Sequence, residues 1–433
     1  MSEFDKVIGY EEIKNELMLY CDVLKYPQKY KELGVKTPSG ILLVGSPGLG
    51  KTLMAKCFIA ESGCKTFTLR KEKPNGDFVK EIKEVYEKAK TENGAIVFLD
   101  DLDKFANGDY DHPNAEEYVT VQSCIDECKA FGVFTISTVN DRKYLPDSLL
   151  RSGRFDKIIN VQEPNGDNFH KIIEYYMAEK SVSENIDIEE IERLMEHNSC
   201  ANLETIINDA GIYAGFAGKQ VIEQEDLVKA CIRSLFGAPE SDDVFGEDLR
   251  RAIAVHEAGH AVVAEIIYPG SVNAISIKRC SSDTGGLTLY KELNGERCIF
   301  SDSEFVIMRS LAGKAANDVV FGIADAGCSQ DMSDAYSGAA MLVEECCAYS
   351  FDSYIRYHDS DYLLENGDRR ISAVIERLYA EAKNIIMENR NFLDTIVMGL
   401  LEKDTLTFRD IQRIRQKLGQ KLRSNEKLTS SFG

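Results

Sequence analysis

The sequence predicts an α/β domain on a parallel sheet, then a small helical region, then a second and mainly helical domain. Three observations carry this. Short, wholly apolar runs alternate with helical stretches over the first 160 or so residues, as buried parallel strands do. From about Pro164 the spacing of apolar residues becomes helical. A polar stretch, Gly237-Ala-Pro-Glu-Ser-Asp-Asp243, then interrupts the pattern before a long helix begins. The 433 residues agree with this organisation at about 150 residues per domain.

Residues 1–40 read as helical, with an exit at Thr37-Pro-Ser-Gly40. Ile41–Val44 is a first buried strand, followed by a glycine-rich turn and a helix over Thr52–Glu61. Ala95–Leu99 and Val133–Thr138 are further strands, and the alternation implies a three-layer αβα arrangement. Helices are expected at Asn168–Lys180, Asp187–Met195, Asn202–Ala217 and Glu225–Phe236. The second domain opens with a helix over Asp248–Tyr268 and carries strand-like pieces at Ala274–Lys278 and Gly286–Lys291. The expected divisions are 1–163, 164–237, a linker at 238–246, 247–420, and a polar tail at 421–433.

The net charge of −21 argues against a general nucleic-acid or anionic-membrane binder, since both partners require clustered Lys/Arg. No run of about 18 apolar residues is present, so no intrinsic membrane segment is expected. The 12 cysteines form no CxxC pair and no disulfide framework. Together with the lack of an N-terminal apolar leader, they point to reduced thiols in a cytoplasmic protein. Cys124, Cys128, Cys346 and Cys347 read as small buried hydrophobes.

Gly45-Ser-Pro-Gly-Leu-Gly-Lys-Thr52 fits GxxxxGK[ST], between an expected strand and an expected helix. In that setting Gly45, Gly48 and Gly50 let backbone N–H groups face phosphate oxygens. Lys51 reaches the β/γ-phosphates of a nucleoside triphosphate, and the Thr52 hydroxyl holds Mg²⁺. The Ala95–Leu99 strand ends in Asp100-Asp101. Asp100 suits the metal, and Asp101 suits the attacking water. Asn140 ends the third strand, where an amide can orient water or the γ-phosphate. Arg151 and Arg154, in Leu149-Leu-Arg-Ser-Gly-Arg-Phe-Asp156, have the chemistry of a finger that stabilises transition-state charge.

A second motif, His256-Glu-Ala-Gly-His260, fits HExxH. On a helix, positions i and i+4 share a face, so both imidazoles can reach one zinc ion. Glu257 then stands beside the open position, as a base for water. A third ligand is needed, and the residues alone leave Asp318, Asp325, Asp331, Asp334 and Glu344 open.

The first set, in its order, resembles the AAA+ ATPase module over roughly residues 4–237. An AAA+ module followed directly by an HEAGH domain resembles the FtsH family of ATP-dependent zinc proteases. The resemblance implies a nucleotide site of Gly45, Gly48, Gly50, Lys51, Thr52, Leu53, Asp100, Asp101, Asn140, Arg151 and Arg154, with ATP and Mg²⁺ bound. The two arginines would serve the adjacent subunit of a homo-oligomeric, hexameric ring. It also implies Asp331, in Gly327-Cys-Ser-Gln-Asp331-Met332, as the third Zn²⁺ ligand after His256 and His260. Leu311–Gly322, Glu388–Asp394 and Leu401–Leu406 resemble the family's helices, and Gly285–Tyr290 resembles its strand near the zinc.

The sequence departs from that family in four places. Asp101 stands where the family has Glu, one methylene longer, and a misplacement of roughly 1 Å can cost on the order of 100-fold in rate. The segment Lys71–Lys80 is short and charged where the family carries an aromatic pore loop, leaving Phe78-Val79 as a remnant grip or Phe78 as a helix anchor. The usual N-terminal membrane anchor is missing from this sequence, so membrane association would come through a partner or a segment outside it. Tyr176 replaces a His in the adenine pocket. The expected function is an ATP-dependent zinc metalloendopeptidase that draws unfolded chains into a ring, with Glu257 activating water. The alternative is a nucleotide-gated chaperone-like ring with weak peptidase activity.

Overall fold

The computed structural model describes residues 2–72, 77–92, 94–106, 115–164, 166–196, 198–236, 246–278, 285–291, 300–322, 328–351 and 361–419. Its contacts divide the chain into two units, Met1–Ile188 with Met195–Leu227, and Glu189–Leu194 with Val228–Gly433. The linker expected at 238–246 lies almost wholly outside the described residues, as does the tail expected at 421–433.

The first unit begins with helices α1 (Glu11–Lys25) and α2 (Pro27–Glu32), in the region read as helical. Strand β1 (Gly40–Val44) is buried throughout and leads into α3 (Lys51–Ser62). The chain continues through β2 (Thr66–Leu69), α4 (Phe78–Lys90), β3 (Ile96–Leu99), α5 (Glu116–Cys128), β4 (Phe134–Val139) and β5 (Lys157–Asn160). All five strands are parallel, in the order β2-β3-β4-β1-β5. β1 is therefore an interior strand, with β4 on one side and the edge strand β5 on the other. The loop after β1 sits at the carboxyl end of the sheet where the winding reverses, the usual ligand position in such sheets.

β1, β3 and β4 are buried throughout because helices cover both faces. Leu42, Val97, Leu99 and Val139 pack with Tyr86, Tyr118 and Phe105 in one buried cluster. β2 and β5 are edge strands and only partly buried. Their weaker apolar pattern is why the sequence reading found three strands of the five. Four helices follow: α6 (Gly166–Ala178), α7 (Ile188–Met195), α8 (Cys200–Phe216) and α9 (Gln224–Phe236). Ser199 caps α8 by accepting from the Asn202 N–H.

The second unit is organised by α10 (Glu247–Ile267), which is buried without a break from Ala254 to Ile266. A three-stranded antiparallel sheet, β6 (Val272–Ser276), β7 (Leu287–Tyr290) and β8 (Thr405–Thr407), has the order β7-β6-β8. The remaining helices are α11 (Phe300–Phe321), α12 (Ser329–Ala340), α13 (Asp361–Glu388), α14 (Arg390–Lys403) and α15 (Phe408–Lys417). α11 crosses α10 closely because Gly259 has no side chain. A Cβ there would lie 2.5 Å from Ala316 Cβ and 2.6 Å from the Ala312 carbonyl oxygen. The middle of HEAGH is thus dictated by packing, and its ends by chemistry.

At the far end of α10, Glu265 is fully buried. It accepts from the N–H groups of Gly270 and Val272 at 3.0 Å each, and pairs with Arg415 of α15 at 2.5 Å. Without these partners, burying its charge would cost several kcal/mol, about the penalty known for an unpaired buried ion. No described helix is long and apolar enough to cross a membrane.

No disulfide joins the described cysteines. Cys124 and Cys128 are buried as expected. Cys346 is exposed and Cys347 half-exposed, because they follow the π-helical turn Met341–Glu345 where the chain leaves the core. For that pair the expectation of burial is corrected.

Candidate functional site

The phosphate-binding loop is shaped by backbone conformation. Gly48 and Gly50 have φ of +80° and +84°, which residues with a Cβ adopt only at a cost. They turn the chain so that α3 begins at Lys51, with its free N–H groups facing the loop. The N-terminus of α8 closes on the same loop, with the Ala201 N–H donating to the Gly48 carbonyl at 3.1 Å. That contact was not read from the sequence, because Ser199–Ala201 carries no phosphate motif of its own.

Lys51 Nζ donates to the carbonyls of Gly45 and Ser46 at 2.7 and 2.8 Å, and to Asn140 Oδ1 at 3.1 Å. Burial pulls its pKa below the ordinary lysine value, against the opposing pull of Asp101, Asp103 and Asp100. Asn140 is oriented from its other end, where Nδ2 donates to Asp103 Oδ2 at 3.0 Å. Thr52 Oγ1 and Thr138 Oγ1 both donate to Asp100 Oδ1 at 2.9 Å. A hydroxyl and a carboxylate are thereby fixed side by side, the hard oxygen donors that Mg²⁺ takes alongside nucleotide phosphates. Leu53, in the first turn of α3, is exposed.

Asp101 adopts φ +55°, a left-handed conformation that Asp tolerates better than most residues. Its N–H donates to Thr138 Oγ1 at 2.9 Å. Its carboxylate pairs with Lys104 at 2.8 Å and Arg70 at 3.5 Å.

The two arginines differ. Arg154 is tied within its own chain, to Asp126 at 2.8 Å, to Gln122 Oε1 at 3.1 Å and to the Ser148 carbonyl. Arg151 is exposed, and its side chain has no partner among the described residues. Neither touches the phosphate loop among the described residues.

Phe78 opens α4, buried against Phe105 with ring centroids 4.8 Å apart, and Lys71 lies over its face. Of the two readings of this segment, the helix anchor is the one its burial supports. Residues 73–76 lie outside the described residues. Tyr176 is half-buried and packs edge-on against Tyr175.

In the second unit, α10 presents His256, Glu257 and His260, and the first turn of α12 presents Asp331. Ligand atoms of His256, His260 and Asp331 all lie within 4.8 Å of one another. His256 Nε2 is 2.9 Å from Asp331 Oδ2, and the Nε2 atoms of the two histidines are 3.1 Å apart. His260 Nδ1 lies 2.8 Å from the Arg309 carbonyl oxygen. A carbonyl only accepts, so Nδ1 carries the proton and Nε2 keeps its lone pair for a metal.

Burial raises the pKa of Asp331. The imidazoles of His256 and His260 beside it outweigh that and hold it well below the usual carboxylate range. Two imidazole nitrogens and a carboxylate oxygen, converging from a buried helix, are the donor set that zinc takes in hydrolytic sites. Of the other acids that the residues left open, Asp318 is engaged by Lys383 and Tyr379, and Asp334 accepts from Gln330. Glu344 is no member of the cluster that gathers His256, His260 and Asp331. Asp325 lies outside the described residues.

Two supporting residues were not read from the sequence. Gly313 of α11 faces both imidazoles so closely that a Cβ would sit 2.5 Å from His256 Nε2. Thr288 of β7 donates to Glu257 Oε2 at 2.7 Å and aims the carboxylate. Both lie in segments already noted for their resemblance, but neither has a spacing that marks a role.

Residues 41–163 match the family of ATPases associated with various cellular activities (AAA), and residues 243–414 match peptidase family M41. Among curated proteins, the chain is 30% identical to the ATP-dependent zinc metalloprotease FtsH of Aster yellows witches'-broom phytoplasma (strain AYWB), over 95% of this chain and 63% of the relative. It is 28% identical to the protein of that name from Acholeplasma laidlawii (strain PG-8A), over 95% of this chain and 69% of the relative. The protein of that name from Caldicellulosiruptor bescii is 29% identical, over 95% and 71%. The chain thus spans about two thirds of the length of these relatives.

Proposed function

We propose, from a chain that belongs to the AAA ATPases through residues 41–163 and to peptidase family M41 through residues 243–414, that it is an ATP-dependent zinc metalloendopeptidase of FtsH type acting on unfolded protein chains. The observation that carries this reading is the convergence of His256, His260 and Asp331 within 4.8 Å, with Glu257 on the helix that bears the two histidines. The alternative, a chaperone-like ring with little peptidase activity, finds no support in the comparisons.

A zinc ion bound by these three residues would polarise the scissile carbonyl and make water nucleophilic near neutral pH. The chain's own groups do the rest. Glu257, steadied by Thr288, takes the proton of the attacking water and can return it to the leaving amine. The Arg309 carbonyl fixes the His260 tautomer. In the first unit, Lys51 binds the β/γ-phosphates of ATP, Thr52 and Asp100 hold its Mg²⁺, and Asp101 orients the water that attacks the γ-phosphate. Asn140, held between Lys51 and Asp103, senses the γ-phosphate. Arg151, whose side chain has no partner among the described residues, reaches the nucleotide of a neighbouring copy. That role requires a homo-oligomer, which we take to be a hexameric ring. The free cysteines accord with a reducing, cytoplasmic setting.

The test is degradation of casein, an unstructured substrate, with and without ATP, with a zinc chelator, and with Glu257→Gln. Cleavage that needs ATP and is lost on chelation and in the variant is the expected result. Casein left intact by the zinc-loaded wild-type chain in the presence of ATP, or cleaved equally by Glu257→Gln, overturns the reading.

A further inference from the structure

Arg309 lies one turn before Gly313 on α11, and residues four apart share a helix face. That face meets the metal centre, since the Arg309 carbonyl accepts from His260 Nδ1 and Gly313 abuts both imidazoles. The Arg309 guanidinium leaves this contact and stacks on the Tyr290 ring, 3.8 Å from its centroid, with the Phe305 ring at 5.7 Å. Tyr290 ends β7 two residues after Thr288, so the two side chains project from one face of the strand. Thr288 holds Glu257. Burial, and then the charges of Glu257 and Asp331, push the Tyr290 hydroxyl well above the usual phenol range, while Arg309 pulls it down. β7 thus carries, two residues apart, the ring on which Arg309 stacks and the hydroxyl that holds the catalytic carboxylate.

This guanidinium is half-buried, yet its N–H groups meet no hydrogen-bond acceptor among the described residues. None of its nitrogens is sealed from solvent without a partner, so the donors stand open to a ligand arriving from outside. The aromatic ring covers a face of the guanidinium and leaves its in-plane donors open, a fork that matches a carboxylate in two-point contact. β7 is an edge strand, so a peptide lying along its free edge passes Tyr290 and the cation stacked on it. In a chain of net charge −21, a local cation at that place also offsets the repulsion that an acidic substrate would meet.

We propose that Arg309 is a specificity-determining residue that binds a carboxylate of the peptide substrate, either an Asp or Glu side chain close to the cleaved bond or a free C-terminus. This rests on the peptidase reading of the same site.

The test measures binding on the zinc-loaded, full-length Glu257→Gln chain, which leaves peptides uncut. Fluorescein-labelled ten-residue peptides of Ala and Ser with one central Phe are the probes. One set carries Glu beside the Phe, on either side in separate peptides, with an amidated C-terminus. A second set has Gln in its place. A third has Gln and a free C-terminal carboxylate. Anisotropy is expected to show about tenfold tighter binding of one carboxylate-bearing set than of the amidated Gln set, the size of a charge-assisted hydrogen-bond pair. Which set it is identifies the source of the carboxylate.

Adding Arg309→Gln should remove the preference, and adding Arg309→Lys should keep part of it, at unchanged zinc content. Equal binding of all three sets, or a preference that survives Arg309→Gln, overturns the inference. Casein left intact by the wild-type chain would sink the peptidase reading instead, while the binding ratio would still report on Arg309.

Discussion

Gly313 and His256 face each other across the crossing of α11 and α10 with no room for a methyl group between them. A Cβ on Gly313 would stand 2.5 Å from Nε2 of His256, and 2.6 Å from Nε2 of His260. Those are the two nitrogens that a metal would share. The helix carrying HExxH would supply two of the ligands, and the helix packed on it leaves the space for them.

Gly313→Ala is therefore expected to displace both imidazoles and to cost the chain its zinc and its peptidase activity. Overpacking of this kind typically destabilises by about 1–3 kcal/mol, so the second unit should still fold. ATP hydrolysis, which uses residues of the first unit, should persist. Zinc content by elemental mass spectrometry, read beside the ATPase rate, decides it. Full zinc occupancy in the variant would contradict the geometry.

At Asp101 the expected change is a gain. Its carboxylate is one methylene shorter than the Glu of the resembled family and is drawn toward Lys104 and Arg70. Asp101→Glu should raise the kcat of ATP hydrolysis, by up to about 100-fold if roughly 1 Å of reach is what is missing. The left-handed backbone at φ +55° suits Asp better than Glu, so a loss of about 1 kcal/mol in stability should accompany the gain. An unchanged kcat would show that reach is not limiting.

The parts of this molecule legible in its sequence are those where one residue type has one physical reason to be there. β1 and β3 are apolar throughout and β4 is buried throughout because helices cover both faces, and the glycines of the candidate phosphate loop are imposed by backbone conformation. HExxH has the period of a helix face. The edge strands β2 and β5 escaped because half-exposed strands lose the unbroken apolar signature. Asp331 is 71 residues beyond His260, and local spacing cannot choose among nearby acids, so only resemblance pointed to it. Gly313, Thr288 and Arg309 act through contacts between elements far apart in the chain. No local pattern encodes those contacts.

The N-terminal segment should confer a measurable pH dependence. Glu61 of α3 accepts from Lys25, from the backbone N–H of Glu3 and from the Ser2 hydroxyl, and these bonds lower its pKa from 4.5 to about 2. A carboxyl depressed in the folded state adds stability above its unfolded pKa. That contribution fades as pH falls from about 4.5 toward 2. The group is partly solvated, so its worth is about 1 kcal/mol. Thermal melts of wild type and Glu61→Gln should therefore differ at pH 7 and converge as pH drops below about 4. Curves that remain equally separated at low pH would assign the difference to packing.

Arg151 and Arg154 stand three residues apart and should respond in opposite ways. Arg154 is held by Asp126, Gln122 and the Ser148 carbonyl, so Arg154→Ala removes this half-exposed network and should lower stability by about 1 kcal/mol. Arg151 has no partner among the described residues, so Arg151→Ala should leave the melting temperature nearly unchanged. If it serves the nucleotide of a neighbouring copy, its loss should still reduce ATP turnover on the order of 1,000-fold. Mixing separates this from an effect within one chain. Arg151→Ala subunits keep an intact phosphate loop, and Lys51→Ala subunits keep an intact arginine. Each pure variant should be inactive, while co-assembled subunits should form some complete interfaces and recover part of the wild-type rate. Mixtures as inactive as their components would place the action of Arg151 within its own chain.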